Sequence, residues 1–131
     1  MNREFDDIID DICEKDKRYR RDAYEFIMEA LGFTQKKMRR PKHITGEELL
    51  SGIREFLLER FGPMTLSVLN HWGVKTTEDF GNIVFNLVNH KVLSKTDEDS
   101  IESFKNGYDF NQVFGAEYQK QLHKKIGKMR S

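Results

Sequence analysis

Apolar positions along this chain recur at the period of a helix far more often than at that of a strand. Phe5, Ile8, Ile9, Ile12 and Cys13 follow i, i+3, i+4, i+7, i+8 spacing, with Asp6, Asp7, Asp10, Asp11 and Glu14 on the other face. Residues 3–14 therefore read as an amphipathic helix. A second helix is predicted from about Arg20 to Met38, with Ala23, Phe26, Ile27, Ala30, Leu31 and Thr34 on one stripe. Gly32 weakens it by about 1 kcal/mol relative to Ala, and Pro41, inside the basic run KKMRRPKH, breaks it.

The clearest pattern lies in ITGEELLSGIREFLLERFGPMTLSVLNHWGVKTTEDFG. Thr45 stands three residues before Glu48, the spacing of a capping box, and Leu49, Leu50, Ile53, Phe56, Leu57 and Phe61 form a wide apolar stripe. Gly62 sits where a helix C-terminus wants positive φ, and Pro63 suits the first turn of a new helix. That short helix, over 63–72, is expected to line up Met64, Val68, Leu69 and Trp72, with Gly73 as its stop. Thr76 and Asp79 repeat the capping spacing and lead into a helix over 77–90 carrying Phe80, Ile83, Val84, Leu87 and Val88.

Three helices joined by short turns within 45–90 have the order of a helix-turn-helix, and a hairpin after them would be its wing. Residues 92–110 admit two readings. Val92–Leu93 and the turn-forming Asn106-Gly107 support a β-hairpin, whereas Thr96 and Asp99, at capping spacing, support a short helix through Phe104. Beyond Gly115, Tyr118, Leu122, Ile126 and Met129 are too sparse for a packed helix. The expected fold is thus mainly α. It is a compact helical domain over 1–114, with a winged-helix-like core at 45–90 and, on one reading, a short β-hairpin. A basic, mobile tail at 115–131 follows.

Composition narrows this further. A length of 131 residues is about one domain, and no stretch approaches the roughly 20 apolar residues of a membrane span. The acidic N-terminus has no apolar signal core, so a cytoplasmic protein is expected. Net charge is zero but sorted into blocks. Residues 1–14 carry one base against six acids, and 15–43 ten bases against four acids. Residues 44–114 carry six against eleven, and 115–131 five against one. The basic side chains Lys15, Lys17, Arg18, Arg20, Arg21, Lys36, Lys37, Arg39, Arg40 and Lys42, with Lys120, Lys124, Lys125, Lys128 and Arg130 in the tail, are candidate contacts for a polyanion. Tyr19, Tyr24 and Tyr118 lie near them and could stack on unpaired bases. The competing reading is that the blocks neutralise one another within the fold.

Chemistry is harder to find. The chain has no Gly-rich phosphate loop, no His-Glu-x-x-His, no G-x-S-x-G and no S-x-x-K. Asp97 and Asp99 match the start of a calcium loop, but Ile101, Glu102 and Tyr108 stand where a ligand, the turn glycine and the closing glutamate belong. The histidines share no ligand spacing, and His71 and His90 fall in last turns, where the helix dipole favours them. Cys13, the one cysteine, lies on an apolar stripe among aspartates that would raise a thiol pKa. No catalytic residue, metal or cofactor is assigned, and the chain is not expected to be an enzyme. Trp72, Tyr108 and Phe110 are expected to be structural anchors. Specific duplex DNA binding is not expected either. The helix over 77–90 has no Arg or Lys before its end, and Glu78 and Asp79 would meet a backbone bearing about one charge per 1.7 Å.

The stretches FGPM, HWG, TEDFG and GYDF, with YRRDAYEFIMEALGFTQKKM upstream, resemble an uncharacterised family of small cytoplasmic bacterial proteins from planctomycete- and verrucomicrobia-like lineages. The resemblance covers roughly residues 18–111 and implies kinship, without an activity, substrate or cofactor. Two functions are compatible with these features. One is a non-enzymatic protein-interaction module that contacts a partner protein or another copy of itself. The alternative is an RNA- or ribosome-associated protein binding through its basic segments and tail.

Overall fold

The computed structural model describes residues 3–39, 44–94 and 101–116, together with Lys120, Lys124, Ile126 and Gly127. Among them the chain is mainly helical and contains no strand. The helices are α1 (Arg3–Lys15), α2 (Arg21–Met38), α3 (Gly46–Phe61), α4 (Thr65–Trp72) and α5 (Thr77–Asn89).

Local chemistry accounts for most of the ends. At α3 the Glu48 amide donates to Thr45 Oγ1 at 3.1 Å while the Thr45 amide donates to Glu48 Oε1 at 3.0 Å, a complete capping box. At α5 Asp79 Oδ2 accepts from the amides of Lys75 and Thr76 at 2.8 and 3.2 Å. α2 ends at Arg39, which takes the left-handed conformation (φ 57°), ahead of Pro41, which lies outside the described residues. α4 ends at Gly73, with φ 84° and its Cβ position only 2.2 Å from the Arg18 carbonyl oxygen. Both the dihedral and the close approach require glycine there.

α4 begins later than its sequence suggests. Gly62–Met64 form a 3-10 turn, and Thr65 Oγ1 donates to the Gly62 carbonyl at 2.7 Å to start the α-helix. That turn shifts the helical phase. The buried face of α4 is Thr65, Leu69 and Trp72, while Met64, expected on the same stripe, is 60% exposed.

The core gathers around α2, α3 and α5. Phe26 and Ile27 of α2, Ile53 and Leu57 of α3, and Phe80, Ile83 and Leu87 of α5 are all buried, and Ile9 and Ile12 of α1 join from one side. α2 and α3 approach closely where Gly52 faces Thr34. Residues 101–110 close over α3 and α5 without forming a hairpin. Ile101–Phe104 make a 3-10 turn, Phe104 is buried, and Thr77 Oγ1 donates to its carbonyl at 2.6 Å. The short-helix reading of this segment is nearer to what forms, although its proposed cap Thr96, with Asp97 and Asp99, lies outside the described residues. Asn111–Ala116 then form a π-helical turn that packs on α4, burying Val113 and Phe114.

Trp72 is 6% exposed, with Phe26 and Phe61 at 5.1 and 5.7 Å between centroids. Tyr108 is part-buried and donates its hydroxyl to the Leu50 carbonyl at 2.8 Å, and Phe110 lies 5.6 Å from Phe80. No described helix is long and apolar enough to cross a membrane.

Candidate functional site

Lys15 at the end of α1 and Arg21 at the start of α2 meet the acidic face of α1. Arg21 spans three carboxylates, Asp6, Asp10 and Glu25. Lys15 pairs with Asp11 at 3.2 Å, and Arg18 grips Asp16 through Nε and Nη2 at 2.9 and 2.7 Å. Arg20 donates from Nε to the His71 carbonyl at 3.2 Å, and Lys37 pairs with Glu55. Lys17, Lys36 and Arg39 have no ion-pair partner among the described residues, and Lys120 and Lys124 are exposed. Arg40, Lys42, Lys125, Lys128 and Arg130 lie outside the described residues. The structure therefore splits the basic candidates, pairing Lys15, Arg18, Arg21 and Lys37 with carboxylates while Lys17, Lys36, Arg39, Lys120 and Lys124 stay exposed.

One polar edge of α5 is equally committed. The Tyr19 hydroxyl donates to Asp79 Oδ1 at 2.5 Å and accepts from Asn82 Nδ2 at 2.9 Å. One helical turn on, Asn86 Nδ2 donates to Asp16 Oδ2 at 2.9 Å and to the Tyr24 hydroxyl at 3.0 Å. Burial, with the hydrogen bond to Asp79 second, pushes the Tyr19 phenol above its ordinary range. Burial also raises Tyr24, to about 12, while the Arg18 hydrogen bond holds the Asp16 carboxyl well below the usual range. Asp79 and Asn82, the side chains a recognition helix would offer to bases, are thus spent on holding residues 16–24 against α5.

Cys13 is half-buried, and burial, more than Asp10 or Asp16, raises its thiol pKa. That environment does not activate a nucleophile. Among the described residues no group of His, Cys, Asp and Glu is placed to hold a metal ion.

The concave feature is an open groove of about 420 Å³ between α2 and the α3–α4 corner. Phe26, Phe61 and Trp72 form its floor, mutually packed with centroids 5.1–5.9 Å apart, and Val68 extends it. Asp22, Glu25 and Glu29 stand along its α2 edge at i, i+3, i+7, so they share one helix face. Arg60, paired with Glu29, is the one permanent cation of the lining, leaving an excess of carboxylate. Asp22 is exposed and has no ion-pair partner among the described residues. Such a surface can take an apolar side chain on its floor while its rim favours a cation.

None of these rim residues stands out in the sequence. Phe26, Phe61 and Trp72 read as members of apolar stripes, and Asp22, Glu25 and Glu29 belong to no motif. The available signal was only that the acids flank Phe26 on the helix boundary. The geometry defines a groove with an aromatic floor and an acidic rim. No family model, curated protein or solved structure matches the chain.

Proposed function

We propose that this chain is a non-enzymatic protein-interaction module that docks its partner in the groove between α2 and the α3–α4 corner. One observation carries the reading: an open groove, floored by packed aromatic rings of which Phe61 is part-exposed, lies beside three carboxylates, of which Asp22 has no ion-pair partner among the described residues. Apolar anchors seated in a pocket supply most of the binding energy at interfaces, while charged rims set partner choice. On this reading the helix-turn-helix-like order α3–α4–α5, with no wing assigned, serves as scaffold. Kinship with the small bacterial family above and a cytoplasmic setting belong to the same proposal.

The alternative, an RNA- or ribosome-associated protein, draws on Lys17, Lys36 and Arg39 and on the exposed Lys120 and Lys124. Capture from a nuclease-treated lysate of the source cells separates the two. Native protein should retain partner proteins without nucleic acid, and the groove variant Asp22→Lys/Glu29→Lys should not. Retention abolished by nuclease but indifferent to the groove variant would transfer the reading to RNA.

A further inference from the structure

The surface offers a complement to the groove on the same chain. The segment after Ala116, EYQKQLHKKIGKMRS, carries five bases against one acid, and it places Leu122, Ile126 and Met129 at i, i+4, i+7. Ile126 is 43% exposed, one of the few large apolar side chains left so in the described chain. Lys120, Lys124 and Ile126 are all exposed, and none of them lines the groove. A basic sequence carrying apolar residues thus belongs to the same chain as a groove with an acidic rim.

We propose that the groove receives this segment from a second copy of the chain, in a reciprocal dimer; the proposal rests on the groove's being a docking site. Charge decides the occupant. Of the lining carboxylates Glu29 pairs with Arg60 and Glu25 with Arg21, which leaves Asp22 without an ion-pair partner among the described residues, and the segment is among the most basic in the sequence. Ile126 would cover Phe61, Val68 and Trp72 while Lys120 and Lys124 meet the carboxylates of α2.

Placement is compatible with exchange between copies. The π-helical turn from which the segment departs packs on α4, and the Cβ position of Gly115 lies 3.3 Å from Leu66 Cδ1. Ser67, Val68, His71 and Trp72 of the same helix line the groove. A two-fold axis beside α4 would therefore bring each segment's root near the other copy's groove. Reciprocal exchange closes the assembly at two copies, where one-way docking would continue into chains, and engaging both ends together adds avidity.

Full-length charge-reversal variants test this by sedimentation velocity across a concentration series. The substituted positions are all exposed, and far-UV circular dichroism and melting check that each variant stays folded. Native protein should shift from monomer to dimer with concentration, and added salt should oppose the shift. Asp22→Lys/Glu29→Lys and Lys120→Glu/Lys124→Glu should each weaken dimerisation about tenfold or more, since each places like charges together. Ile126→Asp should do the same. An equimolar mixture of the two charge variants should recover a heterodimer, because each groove then meets a segment of opposite sign.

The sole tryptophan, Trp72, lines the groove, so its emission should change with dimerisation in the native protein and in the mixture. Native protein that stays monomeric at every concentration overturns the proposal. So does a dimer indifferent to the reversals, or a mixture of the two charge variants that recovers no heterodimer. Groove-dependent capture of other proteins by a monomeric native chain would overturn this occupant while leaving the docking site intact. Capture indifferent to the groove variant would remove the site itself.

Discussion

Gly52 shows how much one side chain decides here. It faces Thr34, 2% exposed, whose hydroxyl donates to the Ala30 carbonyl at 2.8 Å. A Cβ on Gly52 would sit 1.8 Å from Thr34 Oγ1, so the α2–α3 crossing must open to admit it. Ala is the better helix former by about 1 kcal/mol, yet overpacking costs about 1–3 kcal/mol. Gly52→Ala should therefore destabilise in urea denaturation, and Thr34→Ala in the same chain should recover part of the loss; an unaltered midpoint for Gly52→Ala alone would refute the close contact. Trp72→Ala should cost ~3–5 kcal/mol, because it empties space beneath Phe26 and Phe61. A red-shifted, readily quenched native emission would place Trp72 elsewhere.

Tyr24 gives the residue scale a pH dependence. Its folded pKa is raised to about 12 by burial, above the ordinary ~10 of an unfolded tyrosine. Between those values the folded state holds the proton more tightly, so stability falls as pH rises through that window. Its contribution is fully present below about pH 10. Tyr24→Phe should lower stability at neutral pH, since Asn86 loses a partner, and should flatten the decline between pH ~10 and about 12. Parallel alkaline slopes for the two proteins would show that Tyr24 does not carry it.

At the scale of elements, legibility followed the range of the forces. The start of α3 depends on Thr45 and Glu48, and the end of α4 on Gly73, all within a few residues, so both could be read from sequence. Met64 was misplaced because a single 3-10 turn resets the phase of α4, which no apolar count over 63–72 detects. Residues 92–110 admit two readings for a deeper reason. Phe104 is placed by the hydrogen bond from Thr77 and by close contact with Gly81, and Val113 and Phe114 by burial beyond that, all distant in sequence. The groove was hidden likewise, since its floor and rim meet only when α2 packs on the α3–α4 corner. The closing segment should therefore be a condition of stability. A chain ending at Lys105 loses Tyr108 and Phe110 from over α3 and α5 and Val113 and Phe114 from beside α4, and it should melt well below the full chain. An equal melting temperature would reduce the segment to decoration.

For the whole molecule, a net charge of zero is partly internal pairing and partly exposed charge of both signs. Arg18 and Arg21 already hold carboxylates, and α5 has its Asp79–Asn82 edge bonded to Tyr19. Insertion of that edge into a major groove would first break those bonds and then bring Asp79 and Glu78 toward phosphate. Among the described candidates, those exposed and without an ion-pair partner are Lys17, Lys36, Arg39, Lys120 and Lys124, and these can meet a polyanion. Such contacts neutralise phosphates without reading bases, so their affinity is counterion release and carries little sequence preference. The expected outcome is no specific binding to double-stranded DNA and weak binding to single strands or structured RNA. Affinity should fall steeply between ~50 and ~200 mM salt, with log K changing by ~0.7 per released counterion and decade for single strands. Lys120→Glu/Lys124→Glu should lower it further, while Asn82→Ala should alter stability and leave it unchanged. Salt-resistant, sequence-selective duplex binding that survives the lysine reversal and disappears with Asn82→Ala would mean that α5 leaves its partners to enter DNA, and the groove would lose its place as the working surface.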